Sequence, residues 1–209
     1  MGLSASSLMA QEARTLLDHR APTGVAGRWS ALTRPGVAGL PQPVRISLPG
    51  SGTVTFFDGA PTRGVAVSSP ALAGMGVGYV YRVRIADMPE FPGVELFPTI
   101  ELLDRLHPPE GKELEFPVPI QITEEEIETV MRDQMVTKVV YLEQPNLAFP
   151  VTQQNGARIE NLPPTENLLH AADLRGRPMA IVRIGGRIPD PQSPKDEFFC
   201  QSPLQILRP

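Results

Sequence analysis

Prolines and glycines interrupt this chain so often that long helices cannot form over most of its length. The 209 residues include 24 prolines and 18 glycines. Proline lacks a backbone donor and breaks a helix interior, and both residue types concentrate in turns. Hydrophobic residues make up 41% of the chain, which is enough for an ordinary buried core. The sequence therefore favours a globular protein built mainly from short β-strands joined by stiff turns.

Short alternating segments, typical of strands, follow one another from Pro43 onward. Segments 44–48 and 53–57 are separated only by Pro-Gly-Ser-Gly, which predicts a β-hairpin. The segment 136–144 is apolar on both faces, which predicts a strand covered on both sides. The remaining predicted strands are 63–67, 78–86, 94–103, 113–122 and 177–189.

Charged residues of two consecutive predicted strands are expected to face each other. A short turn joins these strands, so they should be antiparallel neighbours. Arg82 and Arg84 lie opposite the apolar row of the first strand, and Glu95 and Glu101 lie opposite that of the second. Opposite charges across a ladder contribute about 0.2–1 kcal/mol each. This pattern predicts a structural role for the two glutamates.

Two short helices are predicted, near 123–133 and 165–175. The first begins with a capping box formed by Thr123 and Glu126. Gly176 is a suitable stop for the second helix. The buried stripe of the first helix is expected to consist of Ile127, Val130 and Met131.

The order of these elements predicts a mainly β fold, an antiparallel β-sandwich of immunoglobulin-like or Greek-key type. An α+β fold is the alternative, since 113–185 can also form a β-α-β-α-β unit. We expect residues 43–189 to form a single domain. Residues 1–42 are expected to form a partly irregular N-terminal arm. One or two amphipathic helical turns can form near its start, and after them turn residues recur too often for a regular element. Residues 190–209 are expected to form an extended C-terminal tail.

Three segments resemble a family of planctomycete-type bacterial envelope proteins. They read GYVYRVRIADMPEFPGVELFPTIELLDRLHPPEG, FPVPIQITEEEIETVMRDQMVTKVVYLEQP and LRGRPMAIVRIGGRIP, and the resemblance covers about residues 78–189. It implies a bacterial source and an envelope location, and it supplies no catalytic residues.

Composition makes several classes of function unfavourable. The net charge is −4 and basic residues form no stripe, so we expect no nucleic-acid partner. No apolar run approaches the length of a membrane span. The one cysteine, Cys200, excludes an intramolecular disulfide. The N-terminus has no signal-peptide pattern, so the sequence leaves the location open: the envelope or periplasm if an export signal has been removed, and the cytoplasm otherwise.

Glu101, Asp104 and His107 are the only candidates for acid–base chemistry or metal binding. An extended chain would separate Glu101 from His107 by about 20 Å. A site therefore requires 101–106 to form a helical turn, with His107 reaching back. Alternation favours a strand instead, so we assign no catalytic residue, metal ligand or cofactor.

Four aromatic residues could form stacking faces for a glycan: Trp29, Phe56, Phe57 and Tyr79. The preferred interpretation of Trp29 is that it anchors the N-terminal arm on the core.

The leading functional hypothesis is a non-enzymatic structural or protein-interaction module of a bacterial envelope. Its partners would be other proteins or a second copy, bound through sheet edges that include the terminal segment 197–206. The alternatives are a carbohydrate-binding module and a hydrolase or metal-dependent enzyme built around Glu101, Asp104 and His107.

Overall fold

The computed structural model describes residues 17–34, 36, 41–57, 61–144, 159–190, 192, 198–200 and 202–207. These segments contain ten strands and three short helices. The helices are α1 (Val25–Thr33), α2 (Glu124–Met131) and α3 (Leu168–Arg175). The strands are β1 (Gln42–Ser47), β2 (Thr53–Phe57), β3 (Gly64–Ser68), β4 (Ala71–Met75), β5 (Val80–Ala86), β6 (Thr99–Leu102), β7 (Val118–Gln121), β8 (Val136–Glu143), β9 (Gly176–Ile184) and β10 (Leu204–Ile206).

The strands form two sheets. One has four strands in the order β10-β4-β1-β7, and the other has six in the order β3-β2-β5-β6-β9-β8. Among the described strands, every neighbouring pair is antiparallel except β1 and β7. The prediction of a mainly β, sandwich-like fold is confirmed. Three short helices are present where two were predicted.

Buried side chains from both sheets form one hydrophobic cluster. Val44 and Ile46 contribute from the four-stranded sheet, and Phe56, Ile100 and Val182 from the six-stranded sheet. Alternation along each strand directs these side chains to the same side of their sheet. The core therefore lies between the two sheets, and the opposite face of each sheet needs cover of its own.

The predicted hairpin between β1 and β2 is wrong. β1 pairs with β4 and β7, whereas β2 pairs with β3 and β5 in the other sheet. The connection 49–52 therefore crosses from one sheet to the other. A four-residue turn is compatible with both arrangements, and the pairing depends on partners that are distant in sequence.

Helix α2 begins as the sequence predicts. The Glu126 N–H donates to Thr123 Oγ1 at 3.2 Å, and the Thr123 N–H donates to Glu126 Oε2 at 3.0 Å. Ile127 and Val130 are buried as expected, but Met131 is 56% exposed, so its predicted burial is wrong. The helix is only eight residues long, and Met131 is its last residue.

Both faces of β8 are covered in part, as the sequence predicts: Val140 packs against the core between the sheets, and Val139 packs on the opposite face. β8 is the edge strand of the six-stranded sheet, and its residues are mostly half-buried. Helix α3 covers one of its faces, and Val139 packs against Leu169 there.

Within the described residues, no helix is both long and apolar enough to cross a membrane.

Helix α1 forms inside the segment that was expected to be irregular. Together with α3 it covers the outer face of the six-stranded sheet, which points away from the sandwich core. A second hydrophobic cluster lies there, made of Ala26, Leu103, Leu169 and Ile181. The sandwich thus has a helical layer on one side.

Candidate functional site

Glu101 is fully buried and ties α1 to the six-stranded sheet. Its neighbours in β6 point into the core, so alternation directs its side chain to the outer face, under α1. The Gly27 N–H donates to Glu101 Oε1 at 2.7 Å, and Arg183 Nη1 donates to Oε2 at 3.1 Å. A carboxylate with 0% exposure is stable only because both oxygens have such partners.

Asp104 forms a second buried clamp just beyond the end of β6. It is 1% exposed. Its Oδ2 accepts from Arg34 Nη1 at 2.5 Å and lies 3.4 Å from Arg177 Nε. Arg34 follows α1 directly, so Asp104 fixes the end of the helix whose middle Glu101 holds. Both carboxylates are therefore part of the attachment of α1.

His107 does not join these carboxylates. It is exposed, and residues 103–109 have no regular secondary structure, so the helical turn that the site required is absent there. Within the described residues, no three His, Cys, Asp or Glu side chains are placed to hold a metal ion. The structure thus brings Glu101 and Asp104 to arginines, and not to His107.

His19 attaches the chain before α1 to the start of α3. The Leu168 N–H donates to His19 Nδ1 at 3.1 Å, and Arg183 Nη2 donates to the His19 carbonyl oxygen at 2.9 Å. Asp18 Oδ1 also lies 2.9 Å from Nδ1. Burial lowers the pKa of His19 below 6.5, against the opposing effect of Asp18; Arg20 and Arg183 lower it further, and Asn167 raises it.

We expect the stability of the protein to decrease as His19 becomes protonated. A lowered folded-state pKa means that the unfolded chain binds the proton more tightly, so this contribution is present above about pH 6.5 and is lost as the pH falls through the folded-state pKa. Protonation converts Nδ1 from an acceptor to a donor, which removes the partner of the Leu168 N–H. The measurement is urea unfolding between pH 8 and pH 5.

His19→Asn is the control for this pH dependence, because its amide oxygen can accept from the Leu168 N–H and does not titrate in this range. The stability of H19N relative to the wild type should rise as the pH falls. An identical pH dependence of the two proteins would contradict the assignment.

The four candidate stacking residues do not form one platform. Phe56 lies in the core, and Phe57 packs against Phe199 with ring centroids 4.4 Å apart. Both are buried, so neither can stack on a ligand. Trp29 and Tyr79 are each 46% exposed, so each has a partly open face. The interpretation that Trp29 anchors the N-terminal arm stays a prediction.

An apolar groove of about 550 Å³ lies between α1, the turn after β4 and the start of β10. The segments that form it are far apart in sequence, so local patterns could not predict it. Its glycines allow close packing of the lining itself, since a Cβ at Gly76 would lie 3.0 Å from the Tyr79 ring and one at Gly78 would lie 2.9 Å from Ala31 Cβ. Residues that line it include Arg28, Leu32, Gly76, Tyr79, Leu204 and Gln205.

Of the described residues that line this groove, Arg28 alone carries a charge. Its Nε–H donates to the Gly24 carbonyl oxygen at 3.0 Å, which fixes the direction of the side chain. Arg28 forms no ion pair with any residue that the structure describes. Its terminal nitrogens are thus donors at the side of an apolar concavity.

Comparison with known proteins gives no match, either to a protein-family model, to a curated protein or to a solved structure. What the chain does must therefore be argued from its own surface.

Proposed function

We propose that this protein is a non-catalytic interaction module of a bacterial envelope and that it binds an extended segment of a partner protein in the groove between α1 and β10. The segment would combine apolar side chains with an acidic one. The envelope location follows from the sequence resemblance over residues 78–189. The observation that carries the binding proposal is an apolar groove beside an edge strand, with one arginine in its lining.

The position of the groove supports an extended protein segment as its occupant. Among the described strands β10 lies at the edge of its sheet, and its residues Leu204 and Gln205 line the groove, so an added chain can continue the sheet there. The Gln205–Gly74 and Leu207–Leu72 pairs direct the hydrogen bonds of Gln205 and Leu207 toward β4. The intervening Ile206 then directs its N–H and carbonyl outward, as alternation in an antiparallel ladder requires.

Charge and exposure support the chemistry of that segment. Leu32 and Tyr79 in the groove lining are 78% and 46% exposed, and exposed apolar side chains grouped in one groove are typical of an interaction surface. Arg28 offers terminal nitrogens that match a carboxylate in a bidentate geometry. An acidic side chain beside apolar ones satisfies both features.

A glycan fits the groove less well than a protein segment. Sugar hydroxyls each need a hydrogen-bond partner, and an unpaired one costs about 1–3 kcal/mol when buried. The lining is mostly apolar, and Tyr79 is the one aromatic residue among the described residues that line it. Glycan binding is therefore the less favoured alternative, and the experiment below distinguishes it from binding of a protein segment.

The proposal is tested with a phage-displayed library of random ten-residue peptides selected against the wild-type protein. Enriched peptides should carry Asp or Glu among apolar residues. Arg28→Gln should weaken binding of a synthetic enriched peptide about 10- to 150-fold, because a hydrogen bond to a charged group contributes about 1.5–3 kcal/mol. N-methylation of alternate peptide amides should abolish binding, since it removes main-chain donors.

Arg45→Gln is the matched control, because Arg45 is exposed on β1 and does not line the groove. Binding should be unchanged in this variant. Enrichment of peptides without an acidic residue, or equal binding to wild type and R28Q, would overturn the proposal. Binding of maltohexaose or chitohexaose by a protein that binds no peptide would also overturn the proposal.

A further inference from the structure

Two arginines converge on one aromatic ring on the outer face of the six-stranded sheet. In β5, Tyr81 and Val83 point into the core, so Arg82 between them points outward. Its guanidinium carbon lies 4.1 Å from the centroid of the Phe198 ring. Arg187, which follows β9, places its guanidinium carbon 5.8 Å from the same centroid.

Neither arginine has a carboxylate partner in the described part of the chain. The glutamates on this face of the sheet are already engaged, Glu95 with Arg84 and Glu101 with Arg183. The Nε of Arg82 is buried and has no hydrogen-bond partner among the described residues. A buried guanidinium nitrogen normally has an acceptor, so this orphaned donor is unusual.

The nearby thiol does not supply the missing negative charge. Burial raises the pKa of Cys200, against the opposing effect of Arg82, so the thiol is protonated at neutral pH. Burial also lowers the pKa of Arg82; Cys200 raises it and Arg187 lowers it. Two like charges that share a partly buried location repel each other, and an anion bound there would remove that cost.

We propose that Arg82 and Arg187 form a binding site for a phosphate-like oxyanion. A guanidinium presents paired donors that match two oxygens of such a group. Arg187 is exposed and Arg82 is partly so, and the site is therefore reachable from solvent. The Phe198 ring lies within cation–π distance of both guanidinium groups. This site lies apart from the groove and does not depend on the function proposed for it.

The first test is calorimetric titration of the whole protein with inorganic phosphate at constant ionic strength. One phosphate should bind per chain, and Arg187→Gln should weaken binding at least about tenfold. Arg84→Gln is the matched control on the same strand, because Arg84 is paired with Glu95, and it should bind phosphate like the wild type. Binding that is unaffected by R187Q, or no stronger than that of chloride, would overturn the proposal.

Charge reversal gives an independent readout. Arg187→Glu supplies a carboxylate for Arg82, so it should raise the Tm of the free protein and abolish the increase in Tm caused by phosphate. A lower Tm, with the phosphate effect retained, would contradict the site.

In the sequence, two acidic residues precede Phe198, namely Asp196 and Glu197. The double variant D196N/E197Q should bind phosphate as the wild type does. If phosphate bound only to the double variant, these residues would be the natural partners of the arginines, and the proposal would be wrong. Cosedimentation with phosphatidylcholine vesicles, with and without phosphatidic acid, distinguishes a lipid headgroup from a free phosphate. Either source requires that R187Q reduce binding.

Discussion

Replacing Glu101 with alanine is expected to lower the free energy of unfolding by about 3–5 kcal/mol, which is the usual cost of removing one partner of a buried ion pair. The substitution leaves the Arg183 guanidinium, whose side chain is 12% exposed, without its carboxylate. It also leaves the Gly27 N–H without an acceptor inside the interface between α1 and β6. Urea unfolding followed by circular dichroism and by Trp29 fluorescence measures the loss.

Glu95→Ala is the matched control, since Glu95 is paired with Arg84 at the surface. Exposed pairs contribute less than about 1 kcal/mol, so this variant should be nearly as stable as the wild type. Removing both buried charges together, in E101M/R183M, should recover much of the loss seen in E101A, because no uncompensated charge remains. Equal losses for E101A and E95A would show that Glu101 does not hold α1.

Gly27→Ala should destabilise the protein by about 1–3 kcal/mol, as overpacking of a close contact does. The sign of the change in the free energy of unfolding is informative, because a Gly→Ala substitution in an exposed helix interior stabilises a protein by about 1 kcal/mol. A Cβ at Gly27 would lie 2.9 Å from the Leu102 carbonyl oxygen and 3.1 Å from Glu101 Cγ. Helix α1 would have to move away from β6, and the hydrogen bond to Glu101 would lengthen.

Ser30→Ala on the same helix is the control for G27A. Ser30 lies one turn further on, and the change should alter the free energy of unfolding by less than about 0.5 kcal/mol. Thermal unfolding of the two variants side by side checks the prediction. A G27A protein that is more stable than the wild type would mean that α1 does not pack closely on β6.

Sequence patterns predicted those features that depend on neighbouring residues. The capping box of Thr123 and Glu126 forms as expected, because its three-residue spacing determines its geometry. β5 and β6 are antiparallel neighbours, and Arg84 meets Glu95 as the alternation indicated. In each case both partners lie within one helical turn or one short connection.

Features that depend on distant partners could not be predicted in this way. Alternation placed Glu101 on the correct face of β6 but paired it with the wrong arginines. Its partner Arg183 comes from β9, and its other donor, Gly27, comes from a helix that was not predicted. Alternation shows which face a residue occupies, and it does not show what covers that face.

The groove also depends on segments that are distant in sequence. The groove is formed by α1, the turn after β4 and the start of β10, and no single segment carries its pattern. Two of the four aromatic candidates, Phe56 and Phe57, were interpreted as ligand platforms although they belong to the interior. An aromatic residue in a strand has similar neighbours in sequence whether its face is covered or exposed.

The position of β9 between β6 and β8 has a consequence for how the chain is made. During synthesis the protein emerges from its N-terminus, and β5 and β6 are complete long before β9 leaves the ribosome. Until then, β6 presents an open edge and Glu101 lacks the arginine that neutralises it. Such non-local topologies fold on the order of milliseconds to seconds, and unpaired edges in the nascent chain are prone to mispairing. Any other chain that paired with β6 in place of β9 would bury the Glu101 carboxylate without its arginine. This cost favours pairing with β9.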